Sequence, residues 1–421
     1  MSADDLGSVE SPQVIDYDAE IQTLAARADV RQALTILEAL EADNLPRLIE
    51  LTEIEAPPFG EGPRAERFAE LLAPSMDELE IDAEGNVLGR RAGTGDGYTL
   101  ALVAHLDTVF PAGTDVTVRG PKVDRFGRKR WFAPGIGDNS RGLVLLLSLA
   151  ESLAAAGIRT EHDVLFIGSV GEEGIGDLRG VKHLFREDGP RIDEFVAIDG
   201  GNDQRVLNHA IGSHRYRLKV TGPGGHSWGA FGMANPAHAL AAAIVAFDQQ
   251  AAAFVAEGPR TTYNVGRIGG GTSVNSVPFE AWAEVDMRSA APEQLNALDK
   301  LFRRSVTDAV ASHSEKRSRG APLEVEFEMI GRRPSGFVES ATPLIQRAMA
   351  SARYFGLEPQ LGSGSTDANI PIARGIPGTT ISRGGVSGDA HALWEWWSDH
   401  DVVTGSSRAL LLLLAVAGIS D

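Results

Sequence analysis

Apolar residues recur at three- and four-residue spacing through "DVRQALTILEALEADNLPRLIELTEI", so the region from Ile21 to about Leu72 is expected to be helical. The pattern then changes. "YTLALVAHLDTV", "HDVLFIGSV" and "EFVAIDGG" are short, dense apolar runs with strand character, and "RGLVLLLSLAESLAAAG" between the first two reads as a helix. Strands alternating with helices predict an α/β domain with a mostly parallel sheet and helices on both faces. Near Ile211 the order becomes strand ("SHRYRLKVTG"), helix, strand, strand ("EAWAEVDMRSA"), helix and strand ("LEVEFEMIG"). That is the split βαβ order of a ferredoxin-like α+β domain. After it, helix and strand alternate again. The expected organisation is one α/β domain in two parts, residues 1–211 and 332–421, interrupted by an inserted domain over 212–331.

Composition narrows what such a chain does. Its 421 residues suit two domains, and 43% hydrophobic with 23% charged residues is the make-up of an ordinary folded protein. A formal charge of −19 argues against nucleic acid and against an anionic membrane as partners. The start, "MSADDLGSVESPQVIDYDAE", lacks the basic and apolar regions of a signal peptide. The runs "LVLLLSLA" and "ALLLLLAVAGI" are too short to cross a bilayer. A soluble, cytoplasmic protein is expected. With no cysteine in the chain, any metal must be held by His, Asp and Glu.

The stretch "VAHLDTV" ends an apolar run with an imidazole and a carboxylate two residues apart, on one face of a strand. Such a pair serves a metal, half of a catalytic triad or a plain ion pair. Comparable groups stand where other strands should end: Asp138 in "GIGDNSRG", Glu172 and Glu173 in "SVGEEGIGD", Asp199 in "AIDGG" and His391 in "GDAHALWEWW". Taken singly, each has an ordinary structural role in a turn, a cap or a solvated loop. Together they are five sets of O and N donors at strand ends, where open α/β sheets gather their ligands. Two divalent ions roughly 3.5–4 Å apart need a bridging carboxylate, further O/N ligands and a base beside the attacking water. This donor set suits Zn²⁺, Mn²⁺ or Co²⁺, with one or two ions per subunit.

The succession "HLDTV", "GIGDNSRG", "GEEGIGDLRG", "AIDGG", "GPGGHSWGAFGMANP", "STDANIPIARGIP" and "GDAHALWEW" resembles the M20 family of metallopeptidases and amidohydrolases, its tripeptidase-like branch in wording. The resemblance implies His105, Asp138 and Asp199 on one ion and Asp138, Glu173 and His391 on the other, with Asp138 as bridge. It implies that Asp107 orients His105 through a hydrogen bond to its second nitrogen, and that Glu172 is the general base. Where the family often has a second Asp after the bridge, this chain has Asn139. In the family the inserted domain is a lid and dimerisation unit, so a homodimer or higher homo-oligomer is implied. His226 matches a histidine, often the partner subunit's, that stabilises the oxyanion, and Asn275 and Arg288 match substrate-binding positions. The expected activity is metal-dependent hydrolysis of a peptide or N-acyl bond in a small substrate. The alternative keeps the metal site and releases ammonia from a carboxylated aromatic amine, amidine or ureido compound. A silent binding protein on the same fold would show loss of a ligand or of the base, and neither is lost.

Overall fold

The computed structural model describes residues 15–95 and 97–420. The helical opening is four helices, Tyr17–Ala26, Ala28–Asp43, Leu45–Thr52 and Gly62–Leu72, and Pro sits in the first turn of the last two, where its missing N–H leaves no bond unmade. Behind them lies a nine-stranded sheet. Its spatial order is Glu78–Ile81, Val87–Arg91, Asp163–Ser169, Thr99–His105, Glu194–Ile198, Gly378–Ile381, Arg205–Ala210 and Gly336–Phe337, with Gln360–Gly364 also paired to Arg205–Ala210.

Among the described residues four pairings of this sheet are parallel and four antiparallel, so the sheet is mixed, which corrects the expectation of a mostly parallel one. The physical reason is visible at one edge. Asp82 accepts the backbone N–H groups of Glu84, Gly85 and Asn86, closing a tight turn, and a tight turn can only join antiparallel strands. The centre, from Asp163–Ser169 to Gly378–Ile381, is parallel. All seven residues of Thr99–His105 are buried, and because successive side chains alternate sides, this strand is covered on both faces. The helices Gly142–Ala155 and Val402–Ala417 are buried along most of their length, which accounts for their apolar composition.

A second, four-stranded antiparallel sheet runs Thr261–Gly270, Glu280–Ser289, Gly212–Thr221, Glu324–Arg333. Burial alternates along Glu280–Ser289, as a sheet with one packed face requires. That face packs on Pro236–Val255 and Pro292–Glu315 around Tyr216, Phe247 and Phe302, a core separate from the main one. Pro236–Val255 is long and apolar enough to cross a membrane by length and composition, and it buries Ala239, Leu240, Ala243, Phe247 and Ala251 in this core. The sequence pattern did not reveal a third sheet, Val386–Gly388, Trp396–Ser398, Lys129–Phe132 and Arg119–Val123, whose strands are short and far apart in the chain. The loop between its first two strands carries His391.

Candidate metal centre

Three of the groups stand at the carboxyl ends of adjacent parallel strands: His105 closes Thr99–His105, Glu172 and Glu173 follow Asp163–Ser169, and Asp199 follows Glu194–Ile198. Asp138 arrives on the turn Ile136–Arg141 that opens the buried helix Gly142–Ala155. Glu395 fixes that turn by accepting the backbone N–H groups of Gly135, Gly137 and Asp138 at 2.7–3.1 Å. Gly142 lets the turn close against the strand end, since a Cβ there would collide with Asn139 Oδ1 and the Ile198 carbonyl. Asn139 donates from Nδ2 to that same carbonyl at 2.9 Å. An aspartate would set a carboxylate oxygen against it, so the amide at this position has a structural cause.

Asp138 lies between the two histidines. Its Oδ1 is 3.1 Å from His105 Nε2, and its Oδ2 is 3.4 Å from His391 Nε2. Glu173 Oε1 is 2.9 Å from the same His391 nitrogen. Asp199 stands further off, 4.0 Å from His105 Nε2. Asp107 does not act as expected: its carboxylate is 3.7 Å from His105 Nδ1, and the backbone carbonyl of Asp107 faces that nitrogen at 2.9 Å. The carboxylate instead accepts the backbone N–H groups of Glu172 and Glu173 at 2.9 and 2.8 Å. It thus positions the two glutamates and leaves the imidazole to the main chain.

A cavity of about 350 Å³ opens onto this cluster, lined by Asp138, Glu172, Glu173, Asp199 and His391 from the large unit and by Arg215, Arg288 and Arg333 from the smaller sheet. Arg215 and Arg288 share one carboxylate, Asp286, at 3.0 and 2.7 Å. Arg333 Nη1 meets Glu172 Oε1 at 2.9 Å, and Arg383 Nη1 lies 3.2 Å from Asp138 and 3.3 Å from Asp199. Sequence reasoning missed Arg333 and Arg383. The usable signal was their position, since each stands at or just beyond a strand end, in "GRRPSG" and "ISRGG". His226 and Asn275 are exposed on a small ribbon, with His226 Nδ1 accepting the Trp228 N–H and Asn275 Oδ1 accepting the Ser273 hydroxyl, and neither lines the cavity. His214 faces Asp299 and His209 stacks on Phe337, both away from the cluster.

Burial is the largest single influence on four of these carboxyls. It pushes Glu172 well above the usual range against the pull of Arg333, and raises Asp107 and Asp199 each to about 6. Burial also raises Asp138, but Arg383, His105 and His391 together overcome it and hold that carboxyl well below its usual range. His391 is pushed up to about 10 by its hydrogen bonds to Asp138 and Glu173. For His105 burial works downward, and Asp138 and Asp199 outweigh it, holding the ring protonated well above its ordinary range. The cluster therefore draws positive charge onto both imidazoles, and a divalent cation displaces such protons when it binds. Ligand atoms of His105, Asp138 and Glu173 lie within 4.8 Å of one another, a group that could hold a metal ion. The donors present fit a divalent metal.

Comparison with known proteins agrees. The profile of peptidase family M20/M25/M40 matches residues 101–415. The uncharacterised protein YqjE of Bacillus subtilis is 24% identical over 359 residues, 81% of this chain and 90% of that protein. The aminopeptidase PepT of Bacillus cereus superposes with a TM-score of 0.69 at 20% identity, covering 90% of this chain and 99% of that one. The YxeP protein of Bacillus subtilis, described as a dinuclear metal-binding peptidase of the M20 family, superposes with a TM-score of 0.65 at 17% identity over 90% of this chain and 99% of its own. The chain belongs to peptidase family M20/M25/M40, and it is a metallohydrolase of peptide and amide bonds.

Proposed function

We propose that the protein cleaves a peptide or N-acyl bond in a small, carboxylate-bearing substrate, with Glu172 as general base. The observation that carries this reading is one cavity that holds a buried, proton-seeking glutamate, a His/Asp/Glu cluster and a set of arginines. Asp138, Glu173 and His391 would hold a divalent ion, and His105 and Asp199 complete the donor set. Zn²⁺, Mn²⁺ and Co²⁺ all suit these donors. Such an ion would supply Lewis acidity toward the scissile carbonyl and a lowered pKa for water. Glu172 takes the proton of the attacking water and returns it to the leaving nitrogen. Arg333 engages Oε1 of Glu172, which leaves Oε2 for that transfer. Arg288 and Arg215 share a single aspartate, so one positive charge between them is left to bind a substrate carboxylate.

The residues 212–331 form the lid, and a homodimer brings His226 of each subunit to the other's cavity, where an imidazole stabilises the developing oxyanion. The exposed Trp228 beside it suits such a contact. Sedimentation should show a dimer, and a stable monomer with full activity would remove His226 from the reaction.

The test is a mass-spectrometric product screen of the metal-reconstituted protein on di- and tripeptides, N-acyl amino acids and carboxylated amines and ureido compounds, each free and as its carboxamide. A free amino acid is the expected product. Ammonia alone would move the protein to the aminohydrolase reading. On the best substrate, Arg288→Ala should lower kcat/KM on the order of 10–100-fold, the worth of one charged hydrogen bond. The carboxamide should lose little, and equal losses on both forms would show that Arg288 does not read the carboxylate.

A further inference from the structure

We propose that Arg383 is a built-in cation of the metal centre that closes its Asp138/Asp199 side to a second ion, so that the chain holds one divalent ion, on the side of Asp138, Glu173 and His391. This rests on the metallohydrolase reading above and refines its metal content. The strand Gly378–Ile381 pairs in parallel with Glu194–Ile198, placing Ile381 opposite Ile198, and the Asp199 N–H continues the ladder by donating to the Ile381 carbonyl at 3.0 Å. The two chains therefore leave the sheet side by side. That register delivers the Arg383 side chain to the Asp199 carboxylate.

Once there, Arg383 is 4% exposed and touches both carboxylates with one nitrogen, at 3.2 Å from Asp138 Oδ1 and 3.3 Å from Asp199 Oδ1. Its Nη2 is 3.4 Å from Ser387 Oγ, and its buried Nε has no partner among the described residues. The two acids are thus the principal partners of this guanidinium. The atoms that define the other half of the centre are elsewhere. Glu172, Glu173 and His391 line the cavity of about 350 Å³ together with Asp138 and Asp199, and Arg383 is not among its lining residues. Arg383 lines a neighbouring cavity of about 640 Å³, and Asp138 borders both. Arg383 thus reaches the Asp138/Asp199 pair from behind the base-side cavity, and its contact with both carboxylates is what sets their side apart.

The two sides differ in how they can accept a metal. His391 is half exposed and its ring nitrogen lies 2.9 Å from Glu173 Oε1, so it can serve as a ligand. A guanidinium has donors only and no lone pair for a metal, so Arg383 brings a positive charge and no ligand. An ion bound by Asp138 Oδ1 and Asp199 Oδ1 would lie against a fixed positive charge in a buried site with weak screening. Moving Arg383 aside would strand it, buried and unpaired.

The experiment is native mass spectrometry of the metal-stripped, full-length protein titrated with Mn²⁺ and separately with Zn²⁺. The expected result is one ion per chain, with a second, if seen, weaker by roughly 100-fold or more. Arg383→Met removes the charge and keeps an unbranched apolar stem, and it should admit a second ion. Asp199→Asn is the companion variant in case Arg383→Met fails to fold, and it should still bind one ion with a Kd within about threefold of the parent, because Asp199 serves Arg383. Two ions of comparable affinity on the unaltered chain would overturn the inference and leave the hydrolase reading standing. A folded Arg383→Met that still takes one ion, or an Asp199→Asn that takes none, would overturn it too. An unaltered chain that binds no ion would bring down the hydrolase reading and this inference together.

Discussion

Glu172→Gln is expected to lower turnover by about 10²–10⁴-fold while metal content and fold stay those of the parent. The side chain is buried, and burial already disfavours its charge, so a neutral amide of the same shape fits the site. Its oxygen can still accept from Arg333, whose Nη1 lies 2.9 Å from Glu172 Oε1, and the backbone N–H of residue 172 stays on the Asp107 carboxylate. What the amide cannot do is take a proton from water and hand it to a leaving nitrogen. Steady-state kinetics should therefore show the loss in kcat with KM little changed, and metal analysis with circular dichroism should show the parent values. Turnover within tenfold of the parent would end the assignment of Glu172 as base.

The second large effect is expected at Asp138. Three cationic groups, His105, His391 and Arg383, surround this one carboxylate, and its charge is held far into the ionised range by them. Asp138→Ala leaves all three without it, so the variant should lose its ion, lose hydrolysis by roughly 10³-fold or more, and lose on the order of 3–5 kcal/mol of stability as a broken buried ion network. The unaltered protein stripped by a chelator should lose the same activity and regain it when Mn²⁺, Co²⁺ or Zn²⁺ is returned. Chelation distinguishes the causes, because it removes the ion without removing the carboxylate. Full activity of the stripped protein would refute a metal-dependent reaction.

Much of the site was legible in the chain. Apolar runs of strand length locate Thr99–His105, Asp163–Ser169 and Glu194–Ile198, and the residues just beyond them are the ones that meet. Both facts are local: an apolar run reports a buried strand, and the position after it reports which end of the sheet a side chain occupies. The resemblance of the motifs to a known family likewise survived comparison, because it depends on short words in order along the chain. The mixed sheet and the small third sheet were less legible, since pairing partners there are separated by up to hundreds of residues and short strands carry little periodicity.

The sequence by itself determined the donor set, the strands that end in it, the absence of thiolate chemistry and the order of elements that gives an inserted second sheet. Only the tertiary structure decided which partner each side chain takes. Asp107 turned from the imidazole two residues away to the backbone of Glu172 and Glu173, Arg333 crossed 161 positions to reach Glu172, and Arg383 came between Asp138 and Asp199. The physical reason is range. Hydrogen bonds and ion pairs are made or lost within a few tenths of an ångström, and that distance is set by strand register and turn geometry, which no local pattern of apolar and polar residues encodes.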